Sequence, residues 1–451
     1  MDFNTFHNII NGKPRGSIST KEGINPLDRS PLWPVPVATA DDVEDSVRAA
    51  KEAFPEWSQT PYEQRTELLE KFADLYSSHA NDFCQLLAAE CGRTRCISLH
   101  NGCGKYKLPE EEIEDDAKVS VVSYEPLGVV AAICPWNSMG KIAPALATGN
   151  CVILKPSPFA PYSSLKLVEL AQQVFPPAVL QVLNGGNDLG PLLVKHPDIQ
   201  KISFTGSTVT GKQILRDGAD TMKRITLETA GNNASIVLPD IDIEAVVPKI
   251  SGSLWFNAGQ VCIATRRLYI HQDIFDEVVA QLAEATATTT KDLVSGVGPI
   301  QNEMQFEKLK QVLADAHAAG HQLLSPGQTE MNEGFFIQPT IVKNPPPQAD
   351  IVQQENFGPI VSCIKFSSLD EALRLANSND SGLAASVWSG DIQAARRVAA
   401  KLEVGNVYIN GPPQPDPHVP FGGHKQSGLG VEYGLQGLLS FCQTKSVYLY
   451  K

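Results

Sequence analysis

The sequence predicts an α/β protein: a doubly wound parallel sheet first, then a second α/β unit. Three observations point there. From residue 127 the chain carries continuous apolar runs, GVVAAIC and CVIL among them, as expected of strands buried on both faces. Helical stretches such as SSLKLVELAQQVF separate the runs, and that alternation builds parallel sheets. Glycine-bearing turns, NGGNDLG and FTGSTVTGK, lie where a strand hands over to a helix.

Taken in order, the first elements are helical. Asp41-Asp42 open a helix with Val43, Val47, Ala50 and Phe54 on one face. A second, longer helix is expected to carry Leu68, Phe72, Leu75, Phe83 and Leu86. The strands of the first sheet then end near Asn137, Lys155, Gly185, Gly206 and Glu228, and ligands of such sheets sit at those carboxyl ends. The alternation resumes after about residue 231 with ASIVL, TRRLYIH, SCIKF, AASVW and GNVYIN. Residues 412–424, rich in Pro and Gly, read as an ordered loop. The final TKSVYLYK reads as a strand paired within the chain or with another subunit.

Composition narrows the function classes. The net charge of -13 over 451 residues argues against nucleic acid or an acidic membrane surface as partner. No apolar run reaches about 18 residues, and the opening MDFNTFHNII lacks the basic-then-apolar pattern of a secretory signal. Nine unevenly spaced cysteines suit a reducing compartment, so a cytoplasmic location is expected. Cys91, Cys96 and Cys103 have no zinc-site spacing, HExxH is absent, and no metal is expected.

Individual residues carry chemistry less specifically. Lys155 ends a buried strand, where a lysine either reaches solvent or meets an anionic or hydroxyl-rich partner. Glu228 ends another and is either a general base or a loop-rim carboxylate. Cys262, in FNAGQVCIATRR, is either a buried small residue or a nucleophile whose thiol is acidified by a helix N-terminus near Gly259-Gln260. Glu355 and Phe357 in QQENFGPIV could hold ribose hydroxyls and a flat ring, or form an ordinary turn.

The motifs gain force from their order. PWN, KPS, FTGST, a glutamate 34 residues before the cysteine of GQVC, ENFGP and PFGGHKQSG follow one another. This series resembles the aldehyde dehydrogenase superfamily from about residue 10 to the C-terminus. It is most similar to the NAD(P)-dependent dehydrogenases of free aldehydes. The resemblance implies a Rossmann-like cofactor domain over residues 1–230, interrupted by an arm at 117–127. It implies a catalytic domain at 231–420 carrying Cys262, a return to the cofactor domain at 421–440, and an oligomerisation strand at 441–451.

By the same resemblance Cys262 is the nucleophile, Asn137 an oxyanion donor and Glu228 the base that activates water. Lys155 and Glu355 hold ribose hydroxyls, Ser207 touches the pyrophosphate and Phe357 packs near the nicotinamide. Ile133, Trp136, Ser157, Gly185, Gly206, Gly211 and Thr229 complete the cofactor site. The implied reaction oxidises a small-molecule aldehyde to a carboxylic acid, with NAD or NADP as hydride acceptor. It passes through a thiohemiacetal and a thioester that water hydrolyses. A glutamate at position 228 argues against release of the thioester to coenzyme A. A homodimer or homotetramer is implied.

Four departures from the family pattern stand out. Pro158 occupies the place of a family glutamate that bonds the adenine ribose, which leaves NAD and NADP both open. Thr229-Ala230-Gly231 replaces Leu-Gly-Gly, placing a branched polar side chain near the nicotinamide. Only Ser138-Met139-Gly140 separates Asn137 from Lys141, a shortening of about five residues, more than one helical turn. Between Thr94 and Lys105 a helical segment of roughly 20 residues is absent. Both shortenings fall on the implied wall of the substrate tunnel. The alternative function is therefore a cofactor-binding protein of the same fold with impaired catalysis.

Overall fold

The computed structural model describes residues 1–92, 106–137, 141–289, 296–324 and 333–451. The expected shortenings at 94–105 and 138–140 lie outside the described residues.

The apolar runs form the centre of the first sheet. Val129–Ile133, Cys151–Lys155 and Leu180–Val182 are buried throughout, Lys201–Thr205 up to its last residue, and Arg224–Glu228 from Thr226 onward. All five are parallel, lying side by side in the order 180–182, 151–155, 129–133, 201–205, 224–228. The winding reverses between Val129–Ile133 and Lys201–Thr205, which opens a crevice at their carboxyl ends. Short antiparallel strands close both edges: Asn8–Ile10 beside Leu180–Val182, and Gly428–Leu429 beside Arg224–Glu228. Segments from both ends of the chain thus complete one sheet.

A second sheet of seven strands spans Asn233 to Ile409, parallel except at the edge strand Gln322–Leu324. Each sheet has its own apolar core. A third, smaller sheet stands apart. In it Lys118–Pro126 pairs antiparallel with Cys442–Tyr450 over the full nine residues, with Glu111–Glu114 on the other side.

The first helix, Ala40–Gln59, starts where the sequence predicts. Thr39 and Asp42 cap it reciprocally, the Thr39 hydroxyl accepting from the Asp42 N–H at 3.2 Å and the Asp42 carboxylate accepting from the Thr39 N–H at 2.9 Å. The expected long second helix is instead two, Tyr62–Ser78 and Ala80–Cys91, which separate at His79. The break lets Phe83 pack on Tyr76, with ring centroids 4.6 Å apart, rather than continue along one face. Glu90, wholly buried near the end of the second of these helices, accepts from the N–H groups of Tyr162 and Ser163. It thereby satisfies the open N-terminus of helix Tyr162–Ala171. The expectation of a wholly reduced chain also needs correction. Cys134, Cys151, Cys262, Cys363 and Cys442 are free thiols, but Cys84 is disulfide-bonded.

Asn150 joins these parts. Its buried amide accepts from Gly128 N–H at 2.9 Å and donates to the carbonyl of Phe441 at 3.0 Å. It therefore ties the strand leading to the crevice to the base of the small sheet. Asn150→Ala leaves the Gly128 N–H buried without its partner and the Phe441 carbonyl with the Leu127 N–H at 3.3 Å. It is expected to lower the unfolding free energy by about 3 kcal/mol, read as a reduced urea midpoint.

Candidate active site

Strand register assembles the site. Lys155 lies opposite Ile133, Ile133 opposite Phe204, and Thr205 opposite Glu228. Three sequence-predicted positions, Ile133, Lys155 and Glu228, thus reach the same rim of the sheet because parallel strands keep level with one another. Gly206 extends the row, its N–H bonding the Glu228 carbonyl at 3.0 Å.

Lys155 is buried, and among the described residues its ammonium donates only to carbonyl oxygens, those of Pro156 and Gly185, each at 3.1 Å. Burial pulls it down to about 8. Ser157 is buried as well, and its hydroxyl accepts from the Phe159 N–H. Ser207 caps the helix Thr208–Gly218, accepting from Thr210 N–H at 3.3 Å, so the free N–H groups of that turn face the crevice end of the sheet.

Two glycines serve packing. A β-carbon on Gly185 would come within 2.7 Å of Leu189, and one on Gly211 within 3.0 Å of the Thr229 methyl. Thr229 itself is held, its hydroxyl donating to the Gln426 carbonyl at 2.6 Å and its N–H to Ser427 at 2.9 Å.

Across the crevice, Phe256–Gly259 is a short 3₁₀ turn in which Asn257, Ala258 and Gly259 all have positive φ. For Ala258, at 52°, this costs about 1 kcal/mol. Gly259-Gln260 ends this turn rather than opening a helix, and the expected acidification is not found. The thiol is instead pushed up to about 12, first by burial and then by the carboxylates of Glu355 and Glu228. The loop is fixed by side chains that sequence reading did not single out. Asn233 donates to the carbonyls of Cys262, at 2.7 Å, and Ala264. Gln260, wholly buried, bonds Asn257, Pro299 and Gln301. The Asn137 amide donates to the Gln260 carbonyl at 3.3 Å, which places it beside the loop that carries Cys262.

Glu228 is buried, and among the described residues neither of its carboxylate oxygens has a hydrogen-bond partner. Burial, and secondarily Glu432, push it up to about 9, while Lys141 acts in the opposite sense. Buried Lys141 and part-exposed Glu432 form an ion pair beside it. Neither was singled out in the sequence. The one available signal was a lysine opening the apolar run KIAPALA.

On the second sheet's side, Phe357, with φ of 55°, turns its ring edge-on to Trp136 with centroids 5.5 Å apart. Both rings are part-exposed. Glu355 accepts from the Gly231 N–H at 3.2 Å. A buried ammonium held only by carbonyls, a capped helix N-terminus and two open aromatic rings at a winding reversal fit a dinucleotide.

The match to known proteins decides the class. The aldehyde dehydrogenase family matches residues 14–447. The chain belongs to the aldehyde dehydrogenase family. FUS7 of Gibberella fujikuroi is 74% identical over 100% of each chain, and the aldehyde dehydrogenase LUC3 of Fusarium sp is 67% identical over 100% of each. The FUS7 alignment runs over 465 positions, so that relative has residues that the 451 of this aldehyde dehydrogenase lack. Betaine aldehyde dehydrogenase of Staphylococcus aureus, solved with NAD+, shares 31% identity over 98% of this chain and 94% of its own, with a TM-score of 0.92. The indole-3-acetaldehyde dehydrogenase AldA of P. syringae, solved with NAD+, shares 30% over 99% and 97%, with a TM-score of 0.93. The fold is the aldehyde dehydrogenase fold, and the protein is an NAD(P)-dependent aldehyde dehydrogenase. Among the described residues no helix is long and apolar enough to cross a membrane.

Proposed function

We propose that the protein oxidises an uncharged small-molecule aldehyde to its acid through a covalent thioester on Cys262, with Glu228 directing water to that thioester. The observation that carries this reading is the pairing of a buried, unpartnered carboxylate at position 228 with a part-exposed thiol whose ionisation responds to it. When bound, the nicotinamide accepts the hydride.

The chain's own groups supply the rest. The Cys262 sulfur adds to the carbonyl carbon. The Asn137 amide, one of whose bonds is to Gln260, and the Cys262 N–H stabilise the oxygen as charge develops on it. Glu228 takes a proton from water during hydrolysis, and the adjacent Lys141–Glu432 pair provides an outlet for it. Val261, Ile263, Leu383, Phe421, Tyr408 and Tyr433 surround the thiol with an apolar wall, and this supports an uncharged substrate.

Lys155, Ser157, Ser207 and Glu355 would hold the dinucleotide, with Ile133, Trp136, Gly185, Gly206, Gly211, Thr229 and Phe357 shaping its bed. Residues 1–230 and 421–440 would form the cofactor unit and 231–420 the catalytic one. Val447, Tyr448, Leu449 and Tyr450 are exposed on the small sheet, and this supports pairing of that sheet in a cytoplasmic homodimer or homotetramer.

The reading is tested by the absorbance of reduced nicotinamide formed with a panel of uncharged aldehydes. If nucleotide binds and none of them is oxidised, it fails. The cofactor site has its own test. Lys155→Ala is expected to raise the cofactor Kd about 10–100-fold in a fluorescence titration.

A further inference from the structure

One face of the first sheet carries a polar seam. Side chains alternate along a strand, and the register sets Lys201 level with Arg224 and Ser203 level with Thr226. Lys201 and Ser203 therefore share a face with Arg224, Thr226 and Glu228. On the strand to their other side the same face carries only Val130 and Ala132. Lys201, Ser203, Thr226 and Glu228 are buried, and Arg224 is exposed. The seam thus runs from Glu228 at the crevice to Lys201 and solvent at the far end of the sheet, where Arg224 bonds Gln443 of the small sheet at 2.7 Å.

The seam is short of protein partners. Among the described residues the Ser203 hydroxyl and both Glu228 oxygens have none. The Lys201 ammonium donates to Thr226 Oγ1 at 2.7 Å and lies 4.7 Å from the centre of the Phe441 ring, which leaves it N–H capacity to spare. Buried polar groups left over in this way are satisfied by water. The Lys141–Glu432 pair adjoins the seam. A β-carbon on Gly430 would lie 3.4 Å from Thr226 Oγ1, so the segment that leads to Glu432 passes Thr226. After burial, Glu432 and Lys141 are the charges that act on Glu228, and they are also the first two that act on Lys201.

We propose that Lys201 is the far end of the proton outlet that serves Glu228. The proposal rests on the reading of Glu228 as the base of hydrolysis. Strand rise puts Lys201 about 13 Å along the sheet from Glu228, too far for one transfer, so the proton travels through water held by Ser203, Thr226 and the Lys141–Glu432 pair. In hydrolysis the water oxygen bonds the acyl carbon and the C–S electron pair returns to sulfur. One water proton re-forms the Cys262 thiol. The other leaves through Glu228 and the seam, is taken up by the free amine of Lys201 and passes to solvent beside Arg224, while the product departs as a carboxylate.

The charge state of Lys201 suits the task. Burial, with Lys141 second, pulls it down to about 7, so it takes up and gives off a proton near neutrality. Arg224 acts in the same sense as Lys141, and Glu432 and Cys442 act against them. The Cys442 thiol is itself pushed up to about 12, chiefly by burial, and stays neutral.

Quenching the enzyme at intervals after mixing with aldehyde and cofactor, and weighing the Cys262 peptide, gives the decay of the thioester against pH. Lys201→Met is expected to slow that decay about tenfold near pH 7.5, with less than about twofold change in the preceding burst of reduced nicotinamide. The wild-type decay is expected to bend near pH 7, and the variant to lose the bend. Lys201→Arg keeps a cation but holds its proton at neutral pH, so it is expected to be as slow as the methionine variant. An arginine variant at the wild-type rate overturns the outlet, because Lys201 then acts only as a charge. Ser203→Ala leaves Lys201 in place and is expected to slow the decay about threefold, which decides the matter even if position 201 tolerates no change. Decay at the wild-type rate in Ser203→Ala overturns the outlet too. If wild type forms a thioester that every variant hydrolyses equally well, the outlet alone fails. If wild type forms none, the reading of Glu228 fails and the outlet falls with it.

Discussion

Cys262→Ser is expected to lower aldehyde-dependent formation of reduced nicotinamide by at least about a thousandfold, with the cofactor Kd unchanged within about twofold. The physical reason is the difference between oxygen and sulfur as nucleophile and as leaving group. A serine hydroxyl is a weak nucleophile without a partner base, and the groups around position 262 are carboxylates that oppose ionisation rather than a positioned imidazole. An ester at this position would also hydrolyse more slowly than a thioester. Cofactor affinity should survive, because Lys155, the capped turn at Ser207 and the Phe357 backbone are held by other segments. The measurement is initial rate by absorbance alongside a fluorescence titration of cofactor. A variant that keeps a tenth of the wild-type rate would remove Cys262 from the mechanism.

Glu228→Gln separates the two halves of the reaction. The first half needs the sulfur and the oxyanion donors, and the second needs a base. The variant is expected to release one equivalent of reduced nicotinamide per site in a burst and then stall, its steady rate reduced about 10²–10⁴-fold. Mass spectrometry of the stalled protein should show Cys262 carrying the acyl group. The carboxylate is held up to about 9, chiefly by burial, so its active deprotonated form is the minor one at neutral pH. Where hydrolysis limits turnover, the wild-type rate should therefore climb with pH up to about 9, and the glutamine variant should lose that climb. A steady rate equal to wild type with no burst would show that another group activates water.

How much of this was legible in the sequence differs from residue to residue. Buried parallel strands write themselves as continuous apolar runs, so Lys155, Gly206 and Glu228 could be placed at strand ends from the sequence. The break at His79 had no such mark. No Gly or Pro interrupts the stretch from Tyr62 to Cys91, and the separation follows from packing of Phe83 on Tyr76. Lys141 and Glu432 are 291 residues apart, and nothing local to either predicts that they pair. Asn233 stands just before the strand ASIVL and carries no mark of its own in the sequence. Its role appears only because its amide reaches the carbonyl of Cys262 from 29 residues away.

The sequence by itself determined the class of fold and the set of reactive side chains, since both depend on local composition: apolar runs, small turn residues, a thiol, a carboxylate. The tertiary structure alone decided the state of those side chains. Cys262 is held as a thiol first by burial and next by the Glu355 carboxylate, which comes from a remote segment of the chain. Glu228 is held protonated because its strand ends where water is excluded and no donor meets it. Desolvation and charge proximity are properties of the assembled crevice, and they act between segments that are remote in the chain.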